Sequence, residues 1–343
     1  MTYLRRRPAL LVGVALAIVY VVWGSTYMGM AVAIRTLPPL VMSSLRFFVA
    51  GAILFAWAYA RGARPTARQW RDAFVSGVAL LVIGNAGIAW AEKRVDTGVA
   101  ALLVAAMPLW LAGLDRIVFG RSLTRPQQLA LVLGLGGVAI LVDPSGSGID
   151  LVGAGACLAA CFSWAAGSLY ARGADQPAEP LAAASIQMLA ASLLLALGAI
   201  VTGEARQLDV GAVSGESLLA LAYLITIGSI VTFTAYGWLL RNAPTPLVST
   251  YAFVNPAVAV ALGAVFLGEQ LGWRMLAAGA AIVVSVALTV LGRRRYSEPR
   301  EDLQPPQPEA AVGGGAPGRG RARPLAAGVW RRALRAGAGA GAR

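Results

Sequence analysis

The chain has 343 residues, of which 58% are hydrophobic and only 13% are charged, and its formal net charge is +13. About a quarter of the residues in an ordinary soluble domain are charged, so this composition excludes a typical soluble fold. The sequence contains no histidine, which removes the usual general base and the commonest metal ligand. We therefore expect no catalytic residue, no metal ion and no cofactor.

Apolar residues fall into blocks of about 20, the length that an α-helix needs to cross a membrane. They do not alternate with polar residues, as the strands of a β-barrel would. The fold is thus predicted to be all-α and integral to the membrane. Its two cysteines, Cys157 and Cys161, are expected to pack within one helix without a disulfide. In chain order, the blocks predict ten transmembrane helices: Leu11–Ala33, Pro39–Ala60, Ala73–Ala91, Thr97–Val118, Gln127–Val142, Leu151–Ala171, Pro180–Val201, Glu216–Leu240, Pro246–Leu267 and Gly272–Gly292.

Arginine is unevenly distributed among the connections between these helices, and most of it lies on the side of the two termini. Loops rich in Lys and Arg stay in the cytoplasm, so both termini, including residues 1–10, are predicted to be cytoplasmic. Segment 293–343 is rich in Arg, Pro and Gly and lacks an apolar period, which predicts a disordered basic tail near anionic lipid. We expect a multi-pass protein of the inner (plasma) membrane that binds no nucleic acid.

The two halves of the helical region resemble one another when the sequence is shifted against itself. The matched pairs include Trp23 with Trp164, Pro39 with Pro180, Arg46 with Gln187 and Pro108 with Pro256. Internal repeats in a membrane protein are typical of transporters. Because each half has five helices, the second must insert upside down. The chain is predicted to consist of two inverted five-helix repeats, 11–142 and 151–292.

Polar and aromatic side chains occur near mid-membrane in several helices, where polar groups must find partners inside the protein. The aromatic residues could instead be interfacial anchors, and the amide side chains could bond between helices. We expect six of these residues to line a solute cavity: Trp23, Tyr27, Asn85, Trp164, Tyr251 and Asn255.

Five further residues are predicted to have gating or structural roles. Pro108 and Pro256 each remove an intrahelical hydrogen bond at matching depth, which predicts bends that gate the cavity or, alternatively, plain kinks. Arg46 lies inside the second helix, where an unpaired guanidinium is costly. It is predicted to pair with Glu92 or Glu269, with contact to an anionic solute group or outward snorkelling as alternatives. By this interpretation no carboxylate lies deep in a helix, so the sequence offers no evident proton carrier.

Several segments occur together in an ordered set: Trp23-Gly24-Ser25, Pro38-Pro39, Arg46-Phe47, Ala105 to Pro108 with Gly120, and Asn255-Pro256 followed by Gly268-Glu269. This set resembles the EamA-type drug/metabolite transporters, in particular their YedA-like branch, over residues 10–292. The resemblance implies ten helices in two inverted repeats, with a central cavity lined by helices one, three, four, six, eight and nine. It also implies a secondary transporter that exports amino acids, metabolites or drug-like compounds by alternating access.

Two alternatives stay open at this point. An importer or exchanger of an anionic metabolite would need several basic groups in the cavity, and Arg46 is the one candidate. A membrane-embedded enzyme or lipid-handling protein would need catalytic residues clustered at one membrane face. The expected partners are a small-molecule substrate and the lipid bilayer, with a homodimer as a further alternative.

Overall fold

The computed structural model describes residues 3–119, 125–142, 149–243, 245–248 and 250–294, so the predicted tail lies almost wholly outside the described residues. Besides two short 3-10 helices, Glu204–Gln207 and Val210–Ala212, the chain forms ten main helices within these ranges, which confirms the all-α fold. They are α1 (Tyr3–Ala33), α2 (Pro39–Ala60), α3 (Ala67–Gly77, Val78–Asn85 and Ala86–Ala91), α4 (Thr97–Ala105 and Met107–Phe119), α5 (Arg125–Val142), α6 (Leu151–Gly173), α7 (Pro180–Val201), α8 (Gly215–Tyr223, Leu224–Val231 and Thr232–Asn242), α9 (Tyr251–Phe266, after a turn at Thr245–Val248) and α10 (Trp273–Arg294).

Seven of the described helices, namely α1 to α4 and α6 to α8, are long and apolar enough to cross a membrane. The apolar stretches of α5, α9 and α10 are shorter. Most helix ends agree with the prediction to within about two residues, but α1 begins at Tyr3 rather than Leu11 and α9 at Tyr251 rather than Pro246. A third difference is that α3 begins at Ala67 rather than Ala73. A capping box explains the earlier start of α3. The Thr66 hydroxyl accepts a hydrogen bond from the backbone N–H of Gln69, and the side-chain oxygen of Gln69 accepts one from the backbone N–H of Thr66.

The two halves contact each other symmetrically: some helices pack against their own equivalents, and others pack against a helix of the other half in two equivalent contacts. The second helices, α2 and α7, lie along one another, as do the fifth helices, α5 and α10. The first helix of each half packs on the fourth helix of the other, α1 on α9 and α6 on α4. This pattern is the one expected of two inverted repeats. We call the end of the bundle with the start of α1 and the end of α10 the terminal face, and the opposite end the far face.

Both α3 and α8 change from α-helix to π-helix midway along their length. The π-helical segments are Val78–Asn85 in α3 and Leu224–Val231 in α8. In a π-helix the N–H bonds to the carbonyl five residues earlier, and such segments are frequent at functional sites. The two halves therefore carry the same irregularity in their third helix, which the sequence analysis did not predict.

Small residues let the helices of the two halves approach closely. A Cβ atom added at Gly24 of α1 would lie 2.6 Å from the Cβ atom of Val258 in α9. One added at Gly77 of α3 would lie 2.9 Å from the Cα atom of Gln187 in α7. Cys157 and Cys161 are buried and carry free thiols, so the prediction that they pack without a disulfide is confirmed.

Candidate solute-binding cavity

A cavity of about 110 Å³ lies between the two halves of the bundle. A single water molecule needs roughly 10–15 Å³ by this kind of measure, so the space can hold several waters or a small solute. All six residues predicted to line a cavity lie in its wall: Trp23, Tyr27, Asn85, Trp164, Tyr251 and Asn255. The structure also adds α2, which supplies Arg46 and Phe47, to the six helices implied by the resemblance.

Aromatic rings from α1, α8 and α9 form one part of the cavity wall. The Trp23 ring packs against Phe233, Tyr236 and Tyr251, with centroid distances of 5.7, 5.0 and 5.1 Å. The contacts with Phe233 and Tyr251 are edge-to-face, a favourable geometry for aromatic pairs. Trp23 and Tyr251 therefore pack against each other between a helix of the first half and a helix of the second.

Arg46 enters the cavity wall from α2, and its residue is only 3% exposed. Its Nε donates a hydrogen bond to Ser229 Oγ at 3.0 Å, and its Nη1 donates to Asn85 Oδ1 at 3.4 Å. Ser229 lies in the π-helical segment of α8, and Asn85 ends that of α3. The guanidinium thus links the two irregular segments across the boundary between the repeats.

The ion pair predicted between Arg46 and Glu92 or Glu269 is not formed. The ion pairs seen among the described residues join other groups, and at this burial the guanidinium does not snorkel to the surface. A buried cation without a counter-ion is unfavourable unless another group compensates it. Arg46 therefore has neither a carboxylate partner among the described residues nor access to the surface.

Glu269 instead forms hydrogen bonds that connect a loop to a helix at the far face. Its carboxylate accepts hydrogen bonds from the backbone amides of Thr97 at 2.7 Å and Gly98 at 2.9 Å, at the start of α4. Gly268, with a φ of 70°, turns the chain so that Glu269 can reach back. An anion at a helix N-terminus is stabilised by the free N–H groups and by the helix dipole. This contact joins the fourth helix of one half to the α9–α10 connection of the other.

Glu92 follows the last turn of α3 at the far face, as predicted, but its carboxylate is not solvated. Both carboxylate oxygens are buried and have no hydrogen-bond partner. Burial holds the pKa of this carboxyl well above its usual range, the charge of Glu269 raises it further, and Arg46 acts in the opposite direction. Glu92 thus lies at a helix end, as the sequence analysis placed it, but its carboxyl group is nevertheless enclosed by the protein.

The two predicted gating prolines lie in different surroundings. Pro256 is buried inside α9, which continues through it, and lines the cavity. Pro108 lies in the first turn of the second part of α4, just after the helix is interrupted at Ala106. Asn255 precedes Pro256 in the sequence, and its side-chain amide nitrogen faces the backbone carbonyls of Tyr20 and Tyr251 at 3.1 Å each. The break in α4 and the proline in α9 thus do not produce the same local structure.

Comparison with known proteins identifies this arrangement. The model of the EamA-like transporter family matches residues 11–143 and 151–291. The chain belongs to the EamA-like transporter family. It is therefore a membrane transporter and not an enzyme, and the resemblance stated from the sequence is confirmed.

Individual relatives agree with this assignment. The chain is 36% identical over 281 residues to the "Uncharacterized inner membrane transporter YedA" of Escherichia coli strain K12, covering 81% of this chain and 90% of that protein. It is 28% identical over 294 residues to a "Probable amino-acid metabolite efflux pump" of Salmonella typhimurium, covering 81% and 94%. A crystal structure with 20% identity shares the fold, with a TM-score of 0.57 over 84% of this chain and 99% of that one. The chain is thus a multi-pass protein of the inner membrane.

Proposed function

We propose that this transporter exports small organic solutes that combine a carboxylate with an apolar or aromatic body, such as amino acids and their derivatives. The observation that carries the proposal is the position of Arg46, whose buried guanidinium lines the cavity without a carboxylate at ion-pair distance among the described residues. Trp23 and Tyr251 supply an aromatic wall in the same cavity.

The chemistry of the guanidinium suits a carboxylate ligand. Arginine carries five N–H donors in a planar fork that matches the two oxygens of a carboxylate. Ser229 and Asn85 occupy Nε and Nη1 of Arg46, so donors remain for a ligand while the two contacts fix the plane of the group. A bound carboxylate would also neutralise a charge that is otherwise buried alone.

The names of two relatives point to the same solutes. Proteins of Salmonella typhimurium and Escherichia coli, 28% and 26% identical to this chain, are each named as a probable amino-acid metabolite efflux pump. We propose the same direction of transport here, from a cytoplasmic terminal face to the far face. The two repeats would rock about the cavity, with the interrupted α4 and the proline-containing α9 bending as the gates.

An importer or exchanger of a doubly charged metabolite is the second candidate. A phosphate ester would need more than one basic group, whereas Arg46 is the single basic residue among those lining the cavity in the described part of the chain. The cavity therefore fits one carboxylate better than one phosphate.

Transport by purified protein in liposomes tests the proposal. The panel pairs each amino acid with its amide, which has nearly the same shape but no negative charge, and includes a sugar phosphate. We expect transport of hydrophobic and aromatic amino acids and a clear preference for each acid over its amide. Equal transport of acid and amide would contradict the role of Arg46, and preferred transport of the phosphate would favour the second candidate.

A further inference from the structure

We propose that Glu92 is a proton-binding site, and that the proton it holds is exchanged with water as the far face of the transporter opens and closes. This inference rests on the proposed function, because it assigns the ion whose binding accompanies solute export. It starts from a carboxylate that the fold encloses without giving it any hydrogen-bond donor.

The first step concerns the chemical form of the side chain. An ionised carboxylate that is removed from water needs hydrogen-bond donors or a cation in contact with it. Glu92 has neither, since both of its oxygens are buried without a partner. The neutral carboxylic acid is the form that this environment accepts, so in the closed far face Glu92 carries a proton.

The second step concerns the charges that surround Glu92. The Glu269 carboxylate, from the α9–α10 connection, accepts hydrogen bonds from two backbone amides of α4, and its charge disfavours a second negative charge at Glu92. Arg46, from α2, attracts a negative charge but makes its hydrogen bonds to other groups. Tyr27 of α1 and Cys157 of α6 are the other titratable groups that interact with Glu92, and both are ordinarily neutral. The site thus offers no contact that would replace the proton.

The third step concerns position. The amide of Glu92 bonds to the carbonyl of Ile88, one turn earlier, and Ile88 and Tyr27 both line the cavity. Glu92 therefore lies between the cavity and the far face. Across that face, Glu269 joins the α9–α10 connection to the start of α4. Opening the far face must separate these elements, and water then reaches the carboxyl.

The proton balance follows from this geometry. When the far face opens, the carboxylic acid of Glu92 gives its proton to water, leaving a carboxylate and a hydronium ion. When the face closes again, the carboxylate must first recover one proton from water on that side. Acidic medium at the far face therefore favours closure, and alkaline medium favours the open state. The solute held at Arg46 and the proton held at Glu92 occupy separate sites in one bundle.

Infrared spectroscopy of the full-length protein in lipid tests the protonation directly, without any transported solute. Near neutral pH we expect a carbonyl band of a protonated carboxyl group, which disappears from wild type only in alkaline buffer. The band should be absent in Glu92→Gln and unchanged in Glu216→Gln, a matched control at the same face whose exposed carboxylate pairs with Arg35. The amide bands report folding. Absence of the band in wild type, or its persistence in folded Glu92→Gln, would overturn the proposal.

Hydrogen exchange measured by mass spectrometry tests the link to opening. The amides of Thr97 and Gly98 are protected by Glu269 while the far face is closed. After correction for intrinsic rates, we expect their exchange to rise severalfold with pH in wild type and in Glu216→Gln, and to remain slow in Glu92→Gln. Equal pH dependence in all three would overturn the coupling. Neither measurement uses a solute, so a failed export assay would refute the proposed function and leave this result interpretable.

Discussion

Arg46 and Gln187 occupy equivalent positions in the second helix of each repeat, on α2 and α7, and comparing them shows where the symmetry of the fold ends. Arg46 reaches the π-helical segment of α8 through Ser229. Gln187 reaches α3 in the same manner, donating from Nε2 to Ser76 Oγ at 3.1 Å, close to the start of the π-helical segment of that helix. Arg46 lines the cavity, whereas Gln187 is not among the lining residues described. The duplicated framework is thus symmetric, but a charge was placed in only one of its two equivalent sites.

Replacing Arg46 by glutamine makes the first repeat like the second and should have the largest effect. A hydrogen bond to a charged group contributes about 1.5–3 kcal/mol, so affinity for a carboxylate solute should fall roughly 10- to 100-fold. Thermal stability should stay unchanged or rise, because a buried charge without a counter-ion is removed. Solute affinity and thermal unfolding of the same preparation check both expectations. A large loss of stability with unchanged affinity would indicate a structural role instead.

The close contact of α1 with α9 offers a second comparison, because Gly24 corresponds to Ala165 in the other repeat. Gly24→Ala should destabilise the protein by about 1–3 kcal/mol, since its Cβ atom would overlap Val258. Gly13→Ala, on the same helix but with nothing within 4 Å of the added carbon, should be neutral or stabilising by up to about 1 kcal/mol. Unfolding in denaturing detergent measures both variants, and equal stability of the two would contradict the close packing.

Gln187→Ala should have the smallest effect. It removes one neutral hydrogen bond, worth about 1 kcal/mol, from a Ser76 hydroxyl that also donates to backbone carbonyls of α3. Stability should fall slightly. Solute affinity should remain within about twofold of wild type because Gln187 is not among the lining residues described, and a tenfold effect would need a change of about 1.4 kcal/mol. A loss of affinity as large as that of Arg46→Gln would mean that the second helices of both repeats contact the solute.

The residues of the cavity could be found from the sequence because their types are rare at mid-membrane. Trp23, Tyr27 and Asn85 stand out in apolar helices, and the repeat supplies Trp164 as a mate of Trp23. The start of α3 at Ala67 could also have been predicted from the sequence, because Thr66 and Gln69 have the spacing of a capping box. These signals depend on local sequence and on helical periodicity, which a single chain displays directly.

Other features depend on tertiary structure and could not be predicted in this way. A π-helical segment uses the same apolar residues as an α-helix, so neither Val78–Asn85 nor Leu224–Val231 could be distinguished from α-helix in the sequence. Polar residues such as Asn85 and Ser229 occur within these segments, but they do not indicate a change of helix type. Burial of Glu92 depends on what covers the helix end. The ion pair predicted for Arg46 was wrong because Glu269 meets the free amides at the start of α4, which satisfy a carboxylate locally.

The burial of Cys157 and Cys161 has a practical consequence for following the motion of this transporter. Both native thiols lie inside the bundle, where water-soluble thiol reagents have little access to them. A cysteine introduced at an exposed position of either face should therefore be labelled selectively in the otherwise native sequence. Pairs of spin labels placed across the far face would then report the distance between α4 and the α9–α10 connection during a transport cycle.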